Sequence, residues 1–240
     1  MPTAAILVIG NEILSAKVQD ENGPFLAREL RALGVELRRI ETVPDEVPLI
    51  VDALNRCRRE AHWVFTSGGI GPTHDDVTIA AVAAAFGRKV VHDEKLLGML
   101  EAHFKVMNAA RRRLAEIPEG ATVVWNEGHL FPVITVDTVV VLPGVPSLLR
   151  DGFAMFRDRL RRAPIHSRAV FFSVGESVLA EHLDATVAAF PAVAIGSYPR
   201  FDECDHRVKV TFDAREEPQV RQAAAYLRSR LPPEVVVREE

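Results

Sequence analysis

The sequence predicts an α/β fold, a mostly parallel sheet covered by helices on both faces, followed by a small α+β subdomain. Three observations predict it. Apolar runs without alternation, of which "AAILVIG" (4–10) is the clearest, suit strands buried on both faces. Helical periodicities alternate with these runs through roughly the first 90 residues. A glycine-rich stretch, "TSGGIGPTHDDVT" (66–78), follows the third run directly, where an open parallel sheet places its ligand loops.

Taken in order, the first strand ends at Gly10 and a polar loop leads to a helix from about Pro24. Leu26, Leu30 and Leu33 fall at i, i+4 and i+7 of that helix, and Gly34 is the residue that ends it. The alternating "VELRRIETV" (35–43) predicts the second strand. "PDEVP" (44–48) opens a second helix in which Ile50, Ala53, Leu54 and Cys57 share one face. "HWVFT" (62–66) is the third strand, and Ile79, Val82, Ala83 and Phe86 mark a third helix beyond the glycine loop, starting near Asp75 or Asp76. Residues 87–130 are less regular: a short strand, a helix over about 94–107, a basic turn, then "ATVVWNEGHL". "FPVITVDTVVVLPGVPSLL" (131–149) reads as two strands joined around Asp137 and Thr138, then a Pro/Gly turn into a helix ending near Arg162. The composition changes across "RRAPIHSR" (161–168), so residues 1–165 are expected as one domain and 166–240 as a second. In the second, strand 169–174, helix 176–189, strands 192–198 and 206–212, helix 216–230 and strand 234–238 give the split-βαβ order.

Composition narrows the function. Of 240 residues, 48% are hydrophobic and 26% charged, as in ordinary globular proteins. A net charge of −4 argues against a broad nucleic-acid footprint. The local arginine clusters, 111–113 and 157–162, read as solvated helix faces. Cys57 and Cys204 are far apart with no metal-type spacing, and Cys57 belongs to an apolar helix face. No secretory pattern or apolar run of membrane-spanning length is present, so a cytoplasmic protein without a membrane partner is expected.

The glycine loop carries the chemistry. Its glycines let backbone N–H groups approach a ligand, and the helix beyond turns its positive end to the same place. The loop has neither the lysine of a P-loop nor the G-x-G-x-x-G spacing. Read singly, Asp75 is a helix N-cap and Asp76 a favourable first-turn acid. Read together with Thr73, His74 and Thr78, two adjacent carboxylates beside an anion site suggest a divalent cation between carboxylates and phosphate. Other strand ends point to the same cleft: Glu12 in "GNEIL", Asp45 in "PDE" and Gly144 with Ser147 in "LPGVPS". Asp45 is equally readable as a helix N-cap or as a second carboxylate of the site.

These stretches resemble a known family. "TSGGIGPTHDDVT" is similar to the glycine-loop signature of the molybdopterin-binding (MoaB/Mog-like) domain. "GNEILSAKVQDEN" resembles the opening motif of the branch that contains CinA and the molybdopterin-binding-like domain of FAD synthase, and "LPGVPSLL" resembles its third motif. "GESVLAEHL" and "IGSYPRF" are similar to the C-terminal subdomain of that branch, and the chain reads as a stand-alone form. The resemblance implies a three-layer sandwich, a homo-oligomer (dimer or trimer), and a pocket at the glycine loop. It carries over Gly10, Asn22, Ser67, Gly68, Gly69, Gly71, Pro72, Thr73, Thr78, Gly144, Pro146 and Ser147 as ligand-binding positions, and Asp45 and Asp76 as metal positions. Three departures stand out. Ala16 replaces a usual glycine, "DEN" (20–22) replaces "DTN", and the acid common shortly after "PGxP" is missing where Ser147 and Leu148 stand.

The implied activity is metal-dependent hydrolysis of a diphosphate bond in ADP-ribose or FAD, using Mg²⁺, Mn²⁺ or Co²⁺. The expected roles are metal binding by Asp76 and Asp45 with Asp75 assisting, and anion binding by the N–H groups of Gly68, Gly69 and Gly71 with Thr73. His74 and Glu12 are the candidates for general base. Two other readings stand beside this one: a non-catalytic module that binds a pterin or adenine nucleotide, and adenylyl transfer to a pterin. His103, His129 and His182 receive no assignment.

Overall fold

The computed structural model describes residues 2–125, 131–160, 165–201 and 205–240. They form two compact units, 1–162 and 163–240. Cys204, His129 and residues 161–164 lie outside the described residues.

The first unit runs β1 (Thr3–Ile9), α1 (Asn11–Leu14), α2 (Asn22–Ala32), β2 (Glu36–Val43), α3 (Val47–Glu60), β3 (Trp63–Ser67) and α4 (Thr78–Ala85). It continues with β4 (Val90–His92), α5 (Glu94–His103), α6 (Ala109–Arg113), β5 (Glu116–Pro118) and β6 (Thr122–Val124). A hairpin of β7 (Val133–Val136) and β8 (Val139–Leu142) leads into α7 (Pro146–Leu160). The main sheet has the order β2-β1-β3-β8-β7-β6. Its β2, β1, β3 and β8 are parallel, and β7 returns antiparallel through a turn in which Asp137 takes φ 51°.

Strand alternation explains the two cores. Along β1, Ala5, Leu7 and Ile9 face Ile50, Ala53 and Leu54 of α3 and Val82 of α4. Ala4, Ile6 and Val8 face Leu26 and Leu30 of α2 and Phe153 and Phe156 of α7. Every one of these is buried, which is why β1 reads as a continuous apolar run. Each large side chain so buried contributes about 1.5–3 kcal/mol, and the result is the expected layering of helix, sheet and helix. Cys57 lies in the first core, and burial pushes its thiol up to about 11, so it packs rather than reacts.

Several local expectations are corrected. Residues 11–14 form the short helix α1 where a polar loop was expected. Helix α2 begins at Asn22, earlier than Pro24, because the Asp20 carboxylate accepts the N–H groups of Asn22 (2.9 Å) and Gly23 (3.0 Å). The expected helix over 94–107 stops at His103, and the basic run 111–113 is helical instead of a turn. Asn108 explains the second, since its side chain accepts the Arg111 N–H at 2.8 Å and caps a new helix there. A smaller core of Leu96, Leu100 and Ala115 packs with Phe104, Leu114, Trp125 and Phe131, and β4 pairs antiparallel with β5.

The second unit contains β9 (His166–Phe172), α8 (Glu176–Ala189), β10 (Ala194–Pro199), β11 (Val208–Ala214), α9 (Glu217–Ser229) and β12 (Val236–Glu239) after a 3₁₀ turn. The βαββαβ order is as expected, and the sheet is antiparallel with order β10-β11-β9-β12. Strand limits differ from the expected ones by one to three residues. Val208, Val210, Phe212 and Ala214 of β11 alternate into its core against Leu179, Val220 and Leu227.

Candidate functional site

Strand order reverses beside β1, because β2 lies on one side of it and β3 with β8 on the other. Register pairs Val8 with Ser67 and Ser67 with Leu142, so three strands end level at one edge of the sheet. Their loops meet there, as expected for a ligand crevice at a switch point. Asn22 locks them together: its amide donates to Ser67 Oγ (2.9 Å) and to the Gly144 carbonyl (2.7 Å), while being only 7% exposed.

The glycine loop is bound to its neighbours by backbone. Gly68 takes φ 103°, and a Cβ there would stand 2.2 Å from the Ile9 carbonyl oxygen; Gly69, at φ 66°, would meet Thr78 Oγ1 at 2.3 Å. Only glycine fits either place. The Gly68 N–H is given to the Leu142 carbonyl (3.2 Å), so this group is not open to a ligand as expected. Thr78 is fully buried, its hydroxyl donating to the Gly68 carbonyl (2.8 Å) and its N–H to that of Gly69 (2.9 Å). Among the described residues, no acceptor meets the N–H of Gly69, Ile70 or Gly71.

Helix α4 starts at Thr78 with Val77 as N-cap, which overturns the capping roles of Asp75 and Asp76. The loop instead folds around Thr73. Its N–H (2.8 Å) and hydroxyl (2.5 Å) both reach Asp76 Oδ2, and the same hydroxyl lies 2.6 Å from Asp75 Oδ1. A hydroxyl has one proton to give, so it satisfies one carboxylate at a time. The Thr73 hydroxyl holds the Asp75 carboxyl below its ordinary range. His74 is 98% exposed, with Nδ1 3.9 Å from Asp75 Oδ1. Asp45 is not the N-cap of α3, since Glu46 has that place; its Oδ2 instead accepts the Asn11 N–H at 2.8 Å, at the start of α1.

A cavity of about 740 Å³ opens beside this loop. Glu12, Gly68, Gly69, Gly71, Pro72, Asp76 and Gly144 line it, as do Arg113, Glu116 and Asp151, which sequence reasoning missed. Asn22, Ser67 and Thr78 support the loops from within. Gly10, Asp45, Thr73, His74, Asp75, Pro146 and Ser147 lie outside the lining. Asp151, one turn along α7 from Ser147, lines the cavity, whereas Ser147 does not. The far wall is apolar: Ile79, Leu96, Leu114, Phe131, Ile134 and Val145. The lining thus combines a loop with free backbone N–H groups and a set of apolar side chains.

A divalent cation fits the donor set. Four carboxylates line the cavity (Glu12, Asp76, Glu116, Asp151) against one cationic side chain, Arg113, among the described residues. The Thr73 hydroxyl serves one carboxylate of the Asp75–Asp76 pair at a time, while the Thr73 N–H stays on Asp76. Oxygen donors select hard cations. Among the described residues no three His, Cys, Asp or Glu side chains converge as a metal group, so water and phosphate would complete the shell, as is usual for Mg²⁺.

Comparison with known proteins agrees with this architecture. Residues 5–162 match the family model described as probable molybdopterin binding domain, and residues 164–240 match that of the FAD synthase middle domain. A protein of Archaeoglobus fulgidus is 34% identical over 218 residues, 91% of this chain and 93% of its own. The probable FAD synthase of Caenorhabditis elegans is 29% identical over 98% of this chain; the chain spans only 51% of that relative. Among solved structures, the CinA protein of Thermoplasma acidophilum superposes with a TM-score of 0.61 at 27% identity, over 66% of this chain and 97% of that one.

Proposed function

Because this chain belongs to the family described as probable molybdopterin binding domain, we propose that its cavity binds a nucleotide and hydrolyses the diphosphate bond of ADP-ribose or FAD with the help of a divalent cation. The observation that carries the reading is the pairing of unspent N–H groups at 69–71 with the Asp76 carboxylate in the cavity lining, next to Asp75, which shares the Thr73 hydroxyl with it. A cation between anion donors and adjacent carboxylates relieves their repulsion of a phosphate.

Each group then has a role. Gly69, Ile70 and Gly71 hold phosphate oxygens by their N–H groups. Asp76 and Asp75 would hold the cation, and Asp45 would support it from the β2 end. When bound, the cation supplies positive charge to the diphosphate oxygens and to the departing phosphate. Glu12 lines the cavity with its carboxylate folded over Gly10, and takes the proton of the attacking water. His74, exposed and outside the lining, has no such access. The water oxygen bonds to phosphorus, the bridging P–O bond breaks, and AMP leaves with the second phosphate monoester. The relatives named FAD synthase are in keeping with a flavin or adenine dinucleotide as substrate.

A binding module without catalysis is the second reading, favoured by the absence of three converging metal ligands among the described residues. Incubation of the purified protein with ADP-ribose or FAD and Mg²⁺, Mn²⁺ or Co²⁺, with chromatography for AMP, separates the two. AMP release that EDTA abolishes is the expected result. Saturable binding without AMP leaves the binding module.

A further inference from the structure

We propose that Arg113 is the specificity residue of the cavity, the group that admits phosphorylated ligands where the carboxylates alone would repel them. The inference rests on the reading of this cavity as a phosphate site. Arg113 is the last residue of α6, and its Nη1 donates to the Thr73 carbonyl at 2.8 Å. That bond sets the guanidinium against the residue whose hydroxyl lies between Asp75 and Asp76. A guanidinium has five N–H donors in a fixed fork, so one bond to Thr73 leaves others for a ligand.

Charge gives the reason. The cavity is lined by Glu12, Asp76, Glu116 and Asp151, and among the described residues Arg113 is its one cationic side chain. A metal neutralises part of this field only near Asp76. Along the rest of the wall an anion has Arg113 as its partner. The neighbours on α6 are used otherwise: Arg111 lies over the Phe104 ring and Arg112 pairs with Glu101 at 3.6 Å. Asn108 fixes the helix that presents all three. Three consecutive arginines therefore have three different tasks, and only the third faces the ligand space.

The test uses the intact protein with Mg²⁺ and inorganic pyrophosphate as probe, read by calorimetry at two salt concentrations. Wild type binds saturably. Arg113→Gln weakens binding about ten- to a hundredfold and flattens its salt dependence, as loss of a charge-assisted bond predicts. Arg113→Lys recovers part, because it keeps the charge but not the fork. Arg112→Gln leaves binding unchanged. Absence of pyrophosphate binding by folded wild type, unchanged binding by Arg113→Gln, or an equal loss in Arg112→Gln would overturn the proposal. Hydrolysis of ADP-ribose is followed separately: a protein that binds pyrophosphate through Arg113 yet releases no AMP retains this inference and loses the activity.

Discussion

At the scale of single residues, Asn22 shows how one side chain builds a site it does not line. Its amide ties Ser67 at the end of β3 to Gly144 before α7. Asn22→Ala leaves those acceptors without their donor in a mostly buried place. The expected loss is about 1–3 kcal/mol, read as a lower urea midpoint with unchanged slope. Gly68→Ala is more severe, because the new Cβ meets the Ile9 carbonyl and φ lies at 103°. Urea unfolding should show a loss of at least about 1–3 kcal/mol from the backbone conformation alone, accompanied by weaker nucleotide binding. The glycines and the double aspartate were legible in the sequence because their types are unusual directly after a strand. Arg113, Glu116 and Asp151 were not. Nothing in "ARRRLAEIP" says that its third arginine crosses to a loop 40 positions earlier in the chain.

At the scale of elements, the strands and long helices followed from periodicity, since the buried faces of β1, α2 and α3 supply most of their stability. Short elements escaped. The starts of α1 and α6 depend on single side-chain hydrogen bonds, Asp45 on Asn11 and Asn108 on Arg111. The start of α4 escaped too. Thr73 competes successfully for both aspartates, and the helix waits until Thr78. In the second unit, strand β12 is held by charge as well as packing. Burial raises the Glu239 carboxyl, but the hydrogen bond from Arg168 and the charge of Arg228 outweigh it and leave it below its ordinary range. A carboxyl lowered in the folded state adds stability above its unfolded value, near 4.3 by the usual reference. That stability disappears as pH falls through the lower folded value. Glu239→Gln should therefore be less stable than wild type at about pH 7, with the gap closing at about pH 3. A gap that persists unchanged in acid would show that Glu239 acts through packing alone.

At the scale of the whole molecule, the two units have separate cores and separate sheet types. Among the described residues, no helix is long and apolar enough to cross a membrane. The functional case belongs to the first unit, where three strand ends bring the glycine loop and Asp76 to one cavity. The most direct test of that case is turnover of ADP-ribose by the Asp75→Ala, Asp76→Ala double variant beside wild type, with thermal unfolding as a check on the fold. Wild type should release AMP, and the folded variant should lose about a thousandfold or more of kcat. AMP release at the wild-type rate from the folded variant would contradict the account, because the cation would then have to be held elsewhere.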